Sequence, residues 1–327
     1  MGRDFHLALA RIACAALVAT FSHAAIAQVP RIEIHPIRTV TISDRQFLTG
    51  DRNGTLVTVG GELRIPRLGV DKLPVVVLQH GSGGVGGNVD RWVQEFNAMG
   101  LATFVVDSFT GRGLTSVSAD QALLGRLTMI LDAYRALELL GAHPRIDPAR
   151  IALMGFSRGG QSVLYASLKR FQRMHGPEGL EFAAYLPFYP SCVTTYVDDE
   201  NVSDKPIRIH HGAADDYVPV APCRTYVERL RKAGRDVQLA EYPGAHHGFD
   251  NPVLKEGPQP AAQSQTTRRC SMNEEPEGVV VNSATKQPFT YQDPCVERGP
   301  NVGYNAAAHA TATQAVKDFL RSSLKLN

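Results

Sequence analysis

Short, almost wholly apolar runs recur at residues 74–78, 101–106 and 150–154, and each leads into a loop and then a segment of helical periodicity. A strand that is apolar on both sides must be covered on both sides, which a parallel sheet flanked by helices achieves. Residues 182–188, 207–210 and 237–242 read as further strands. Helices are expected over about 90–99, 119–140, 158–171, 221–232 and 306–324, with Gly141 as the stop for the second of them. Ahead of this series, 39–42 and 56–65 read as an antiparallel entry hairpin turned at Asp51-Arg52-Asn53-Gly54. The alternation predicts an α/β fold with an open, mostly parallel central sheet and helices on both faces.

Composition allows this. The chain has 327 residues, 43% of them hydrophobic, enough to bury one large core. Lys and Arg number 34 against 32 Asp and Glu, a net charge of +2 that leaves no electrostatic footprint for nucleic acid or an anionic membrane. One stretch departs from the pattern. Residues 255–301 are rich in Pro, Gln, Glu, Asn and Thr, and read as an irregular excursion within a single domain spanning 28–327. Loops of this length are usually functional or disordered.

The N-terminus reads as an address. Arg3 and Arg11 precede an apolar run at 12–21, and Ala25-Ile26-Ala27 gives the small-x-small pattern of a cleavage site. Residues 1–27 are therefore expected to be a secretory signal, with the mature protein secreted or periplasmic from about Gln28. A run of about 10 residues is too short for a bilayer core that needs roughly 20, so no membrane span is expected. Export favours disulfides, and apart from Cys14 four cysteines remain: Cys192, Cys223, Cys270 and Cys295. Of their three possible pairings the local one, Cys192 with Cys223 and Cys270 with Cys295, is preferred because each pair lies near one predicted feature. No CxxC spacing is present, and neither a metal nor a cofactor is implied.

Chemistry concentrates at loops that follow predicted strands. Gly155-Phe156-Ser157-Arg158-Gly159 fits GxSxG between a strand and a helix, the setting in which a strained turn presents a serine oxygen above a sheet edge. A helix N-cap is the alternative role for Ser157. A serine hydroxyl needs a base to take its proton and a carboxylate to orient that base. Asp215 and its neighbour Asp216 follow the strand at 207–210, and His246 and His247 follow the strand at 237–242. Asp215 is chosen as the acid. The order serine, acid, histidine is that of an α/β-hydrolase. Backbone N–H groups of Arg158 and of Ser82, in the loop Gln79-His80-Gly81-Ser82-Gly83-Gly84, are expected to form the oxyanion hole. That loop lacks the register of a phosphate-binding motif.

These motifs resemble the dienelactone hydrolase-like branch of the α/β-hydrolases, over about residues 55–250 and the last helix. The likeness rests on GFSRGG at 155–160, GxxDxxVP at 212–219 and YPGxxHGF at 242–249. It implies an α/β-hydrolase fold, and it selects His247 over His246, since the family's base directly precedes Gly-Phe. Asp107-Ser108-Phe109 and Arg112-Gly113 are similar to the family's segment after the second parallel strand, and Cys192 and Cys223 are similar to a cysteine pair flanking the acid loop in many exported members. Two departures stand out: the family's cysteine nucleophile is replaced by Ser157, and its first-loop glutamate by the run His80-Gly81-Ser82.

The sequence thus predicts an exported serine hydrolase cleaving small-molecule carboxylic esters through Ser157, His247 and Asp215. Cleavage of short peptides or amides in the manner of prolyl oligopeptidases, and an inactive binding module on the same fold, are the competing readings. The excursion at 255–301 is expected near the mouth of the site, where it restricts substrates. Arg112 is a surface arginine or a partner for an anionic substrate group.

Overall fold

The structure, a computed structural model, describes residues 31–326; the expected signal segment lies outside the described residues. In chain order the main elements are β1 (Arg31–Thr41), α1 (Asp44–Thr49), β2 (Thr55–Ile65), β3 (Leu73–Gln79), α2 (Gly87–Ala98), β4 (Ala102–Asp107), α3 (Thr128–Gly141), β5 (Ile146–Phe156), α4 (Arg158–Ala166) and α5 (Lys169–His175). They continue with β6 (Ala184–Phe188), β7 (Thr194–Thr195), β8 (Ile207–Gly212), α6 (Ala221–Lys232) and β9 (Val237–Tyr242). Six short strands, β10 (Gln259–Pro260), β11 (Gln265–Thr266), β12 (Met272–Glu275), β13 (Val279–Asn282), β14 (Glu297–Arg298) and β15 (Asn301–Val302), precede α7 (Ala306–Ser323).

Eight strands form one sheet in the order β1-β2-β4-β3-β5-β6-β8-β9. The β1–β2 and β2–β4 pairs are antiparallel and all the others parallel. Every residue of β3 is buried, and alternate side chains serve opposite faces. Val75 and Val77 join the core beneath α3, α4 and α6, whereas Val76 and Leu78 join the core beneath α2 and α7. No helix among the described residues is long and apolar enough to cross a membrane.

The structure corrects several expected boundaries, each through a tertiary partner. The entry hairpin is longer than predicted, pairing Arg31 with Ile65 and Thr41 with Thr55. Its connection contains the unpredicted α1, held by a capping box between Ser43 and Gln46. The helix expected over 119–140 begins only at Thr128, because the carbonyls of Gln121, Leu124 and Gly125 turn aside to accept from the Arg158 guanidinium. The helix expected over 158–171 breaks into α4 and α5. Leu168 takes an extended conformation and bridges Val202 there, while Ser203 N–H donates to the Ser167 carbonyl at 2.7 Å. The excursion is less irregular than its composition implies: the apolar triplet Val279–Val281 pairs with Asn273–Glu275, and β12 also pairs with β7. The structure joins Cys192 to Cys223 and Cys270 to Cys295.

Arg112 is neither a surface arginine nor free to meet a substrate. Its Nη1 and Nη2 donate to the Asp132 carboxylate at 2.7 and 2.9 Å, and both side chains are almost fully buried. Breaking such a pair from one side strands a buried charge, at a cost of about 3–5 kcal/mol. Arg112→Leu should therefore lower urea stability by that amount, and adding Asp132→Leu should recover most of the loss.

A second buried group predicts how stability depends on pH. His210, on β8, stacks against Phe188 with its Nδ1 2.7 Å from the Tyr242 hydroxyl. Burial, with a smaller contribution from Arg208, pushes the imidazole down from 6.5 to about 3. The unfolded chain takes up this proton as pH falls below 6.5 and the folded chain does not until about 3, so stability contributed by neutral His210 is lost progressively across that window, at up to about 1.4 kcal/mol per pH unit. Urea titrations at a series of pH values should show a shallower acid slope for His210→Phe than for the parent chain.

Candidate active site

Four loops meet at the carboxyl ends of neighbouring parallel strands, beside β3, where the strand order reverses. The loop after β3 carries Ser82, the turn from β5 into α4 carries Ser157, the loop after β8 carries Asp215, and the loop after β9 carries His247.

Ser157 occupies a conformation that side chains rarely adopt, with φ 55° and ψ −113°. The backbone strain therefore sits on the serine itself, and the glycines around it serve close packing. A Cβ on Gly155 would lie 2.6 Å from the Gly159 carbonyl oxygen, one on Gly159 2.4 Å from that of Gln79, and one on Gly160 2.3 Å from that of Phe188. The turn is pinned by Ser157 N–H donating to the Phe188 carbonyl at 2.9 Å. Strain of this kind persists only where the surroundings overdetermine it.

From the Ser157 hydroxyl a line of hydrogen bonds runs inward. Ser157 Oγ lies 2.9 Å from His247 Nε2, and His247 Nδ1 lies 2.8 Å from Asp215 Oδ2. The second oxygen of Asp215 accepts from the N–H groups of Tyr217 and Val218 at 2.9 and 2.8 Å, which fixes the carboxylate plane. Rings of Tyr189 and Tyr217 approach the imidazole at centroid distances of 4.6 and 4.5 Å. His246 and Asp216 take no part in this line. Asp216 instead holds the excursion, accepting from Arg268, from Asn301 N–H at 3.0 Å and from the Asn301 amide at 2.9 Å.

Ser82 and Arg158 line the same cavity as Ser157. Among the described residues the N–H of neither has a hydrogen-bond partner. The N–H of Arg158 also belongs to the first turn of α4, the positive end of that helix. The Arg158 side chain turns away from the hydroxyl and is consumed by Gln121 and the carbonyls around it. Gln121 further accepts from Ser82 Oγ at 3.2 Å, so one amide ties both halves of the pair together.

His80 supports the first loop from below. It is fully buried, Ser108 N–H donates to its Nε2 at 3.1 Å, and its Nδ1 lies 2.8 Å from the Gly81 carbonyl. Burial holds this imidazole below its ordinary pKa, which keeps Nε2 an acceptor. Behind Tyr189 lies Asp250, also fully buried, accepting from the Tyr189 hydroxyl at 2.6 Å and from Trp92 Nε1 at 2.8 Å. Burial pushes this carboxyl up. The excursion reaches the site as expected: Gln265, Thr266, Thr267 and Tyr291 line the cavity.

Sequence reasoning missed Gln121, Gln161 and Arg126 around this cavity, and Tyr189 against the His247 ring. Gln161 alone carried a usable signal, standing one helical turn beyond Arg158. Away from the site, Glu33, His35 and His143 converge closely enough to ligate a metal. Arg145 N–H donates to His143 Nδ1 at 3.2 Å, so Nε2 of that ring carries the proton facing Glu33 at 3.1 Å. The cluster is thereby satisfied as a hydrogen-bonded group.

Residues 61–275, more than half of the chain, match the dienelactone hydrolase family. The chain belongs to that family. Acyl-protein thioesterase 1 of Gibberella zeae is 33% identical to it over 102 residues, 31% of this chain and 43% of that protein. Esterase LipC of Mycobacterium tuberculosis is 48% identical over 46 residues, 14% of this chain and 11% of that protein. This family member thus spans less than half the length of either relative. A dienelactone hydrolase-like promiscuous phosphotriesterase from metagenomic libraries superposes with a TM-score of 0.56 at 16% identity, covering 89% of this chain and 98% of that one. A putative dienelactone hydrolase from Klebsiella pneumoniae gives 0.51 at 17% identity over 68% of this chain and 90% of that one. The shared architecture is the α/β-hydrolase fold.

Proposed function

We propose that this member of the dienelactone hydrolase family is a serine hydrolase that cleaves carboxylic esters through an acyl-enzyme intermediate. The observation that carries this reading is the unbroken line from Ser157 Oγ through His247 to Asp215, with links of 2.9 and 2.8 Å. Ser157 Oγ attacks the ester carbonyl while its proton passes to His247 Nε2. Asp215 holds Nδ1–H and stabilises the imidazolium that forms. The unpartnered N–H groups of Ser82 and Arg158 receive the developing oxyanion, a contribution of about 3–4 kcal/mol for each such donor. Collapse of the tetrahedral intermediate expels the alcohol, which takes the proton from His247. Water then repeats the sequence on the acyl-serine, giving the carboxylic acid and restoring the hydroxyl.

The decisive experiment pairs a fluorophosphonate probe with a p-nitrophenyl ester. Covalent labelling mapped to Ser157, together with ester turnover, is expected. A chain that stays unlabelled and inert would instead be a binding module.

We also propose export, on the strength of two disulfides and the N-terminal pattern of Arg3, Arg11 and Ala25-Ile26-Ala27. N-terminal sequencing of protein recovered outside the cytoplasm should begin near Gln28, and an intact Met1 would count against a cleaved signal.

A further inference from the structure

The cavity beside Ser157 is small, about 50 Å³. A water molecule needs roughly 10–15 Å³ on this measure, so the space holds only a few heavy atoms. The enclosed space suits a short acyl group, and a long chain would have to leave through the open mouth.

Its walls mix aromatic and aliphatic surface with several polar side chains, and in pockets of this kind a few placed polar groups fix what binds. Val218 is the only aliphatic residue among those lining it. Gln161 is only 8% exposed, yet its carboxamide has no hydrogen-bond partner among the described residues. Buried amides in folded proteins are paired, and one left open toward a cavity is paired by what enters. A carboxamide offers a donor and an acceptor together, which is what a hydroxyl group also offers.

Arg126 supplies a second polar wall and sets the charge of the ligand. Its Nε donates to Asp44 at 3.1 Å and its Nη1 to Met272 Sδ at 3.1 Å, while its Nη2 has no partner among the described residues. Asp44 already answers the guanidinium charge, so the open N–H is a donor for a neutral oxygen more than a counterion for a carboxylate. Rings of Tyr217 and Tyr291 close the remaining sides.

We infer that this site, read as an esterase, takes short-chain esters of uncharged, hydroxyl-bearing compounds, such as acetylated glycerol or sugars, with Gln161 and Arg126 pairing the hydroxyls. The inference rests on the ester-hydrolase reading above and narrows it.

The test uses two substrate pairs. Glyceryl monoacetate against propyl acetate isolates the hydroxyls, and p-nitrophenyl acetate against p-nitrophenyl octanoate isolates chain length. The parent chain should prefer glyceryl monoacetate by about 10-fold or more in kcat/KM, the discrimination expected when buried polar groups would otherwise stay unpaired. It should also prefer acetate to octanoate. Gln161→Leu should lower the glyceryl-to-propyl ratio about 10-fold, and Gln161→Asn, which keeps the amide but withdraws it, should lower it less. Equal rates on the hydroxylated and plain acetates, a preference for octanoate, or an unchanged ratio in Gln161→Leu overturns the inference while leaving the esterase reading in place. Failure to hydrolyse any ester, with Ser157 unlabelled, removes the esterase reading itself.

Discussion

Ser157→Ala should lose ester turnover by about 10⁵- to 10⁶-fold in kcat, measured with p-nitrophenyl acetate on protein that melts like the parent. The size follows from what the hydroxyl does. In the proposed mechanism no acyl-enzyme forms without it and His247 has no proton to accept, so the remaining residues cannot substitute for one another. Residual rate would come from the N–H pair of Ser82 and Arg158 and from substrate binding alone. The substitution removes one oxygen that is hydrogen-bonded to His247, and alanine relieves little of the strain at φ 55°, so folding should survive. Turnover within about 10-fold of the parent would show that another nucleophile operates.

Asp215→Asn should cost about 10⁴-fold, and the mechanism is visible in its hydrogen bonds. Oδ1 accepts from two N–H groups, those of Tyr217 and Val218. An asparagine must keep its oxygen on that side, which turns its NH2 toward His247 Nδ1 in place of Oδ2. The imidazole then accepts at Nδ1 and carries its proton on Nε2, the wrong tautomer to deprotonate Ser157. Turnover should recover partly at high pH, where hydroxide assists, whereas Ser157→Ala should show no such recovery. A variant with near-parent activity at neutral pH would remove Asp215 from the proposed mechanism and make Asp216 the residue to test next.

The parallel strands were legible because burial on both faces writes itself as unbroken apolar runs, and β9 and α6 fall at the residues their periodicity indicates. What escaped was written at long range. Gly125 is the one weak local signal against a helix over 119–127; the stronger opposition comes from Arg158, far along the chain, whose guanidinium draws three carbonyls out of helical geometry. The break at Leu168 likewise depends on pairing with Val202. Helix α1 was a local signal that went unread, since Ser43 and Gln46 stand at the spacing of a capping box ahead of Phe47 and Leu48.

The site divides the same way. Residue types and their order singled out Ser157 and Asp215, which the fold brings into one line with His247. They left His246 and His247 undivided, and only the family resemblance selected His247, whose ring the fold turns toward Ser157. Nor could they assign Arg112, whose partner Asp132 lies 20 residues on and is recognised only when both are buried.

The excursion at 255–301 is fastened to the loop that carries Asp215. Thr266 Oγ1 donates to the Tyr217 carbonyl at 2.6 Å, and Arg268 and Asn301 grip Asp216, the immediate neighbour of the proposed acid. Shortening or replacing this segment to admit bulkier compounds therefore loosens the anchorage of the Asp215 carboxylate as well. Engineering for breadth carries a built-in toll on rate, and a broadened variant needs new fastenings for Asp216 before its chemistry is compared with the parent's.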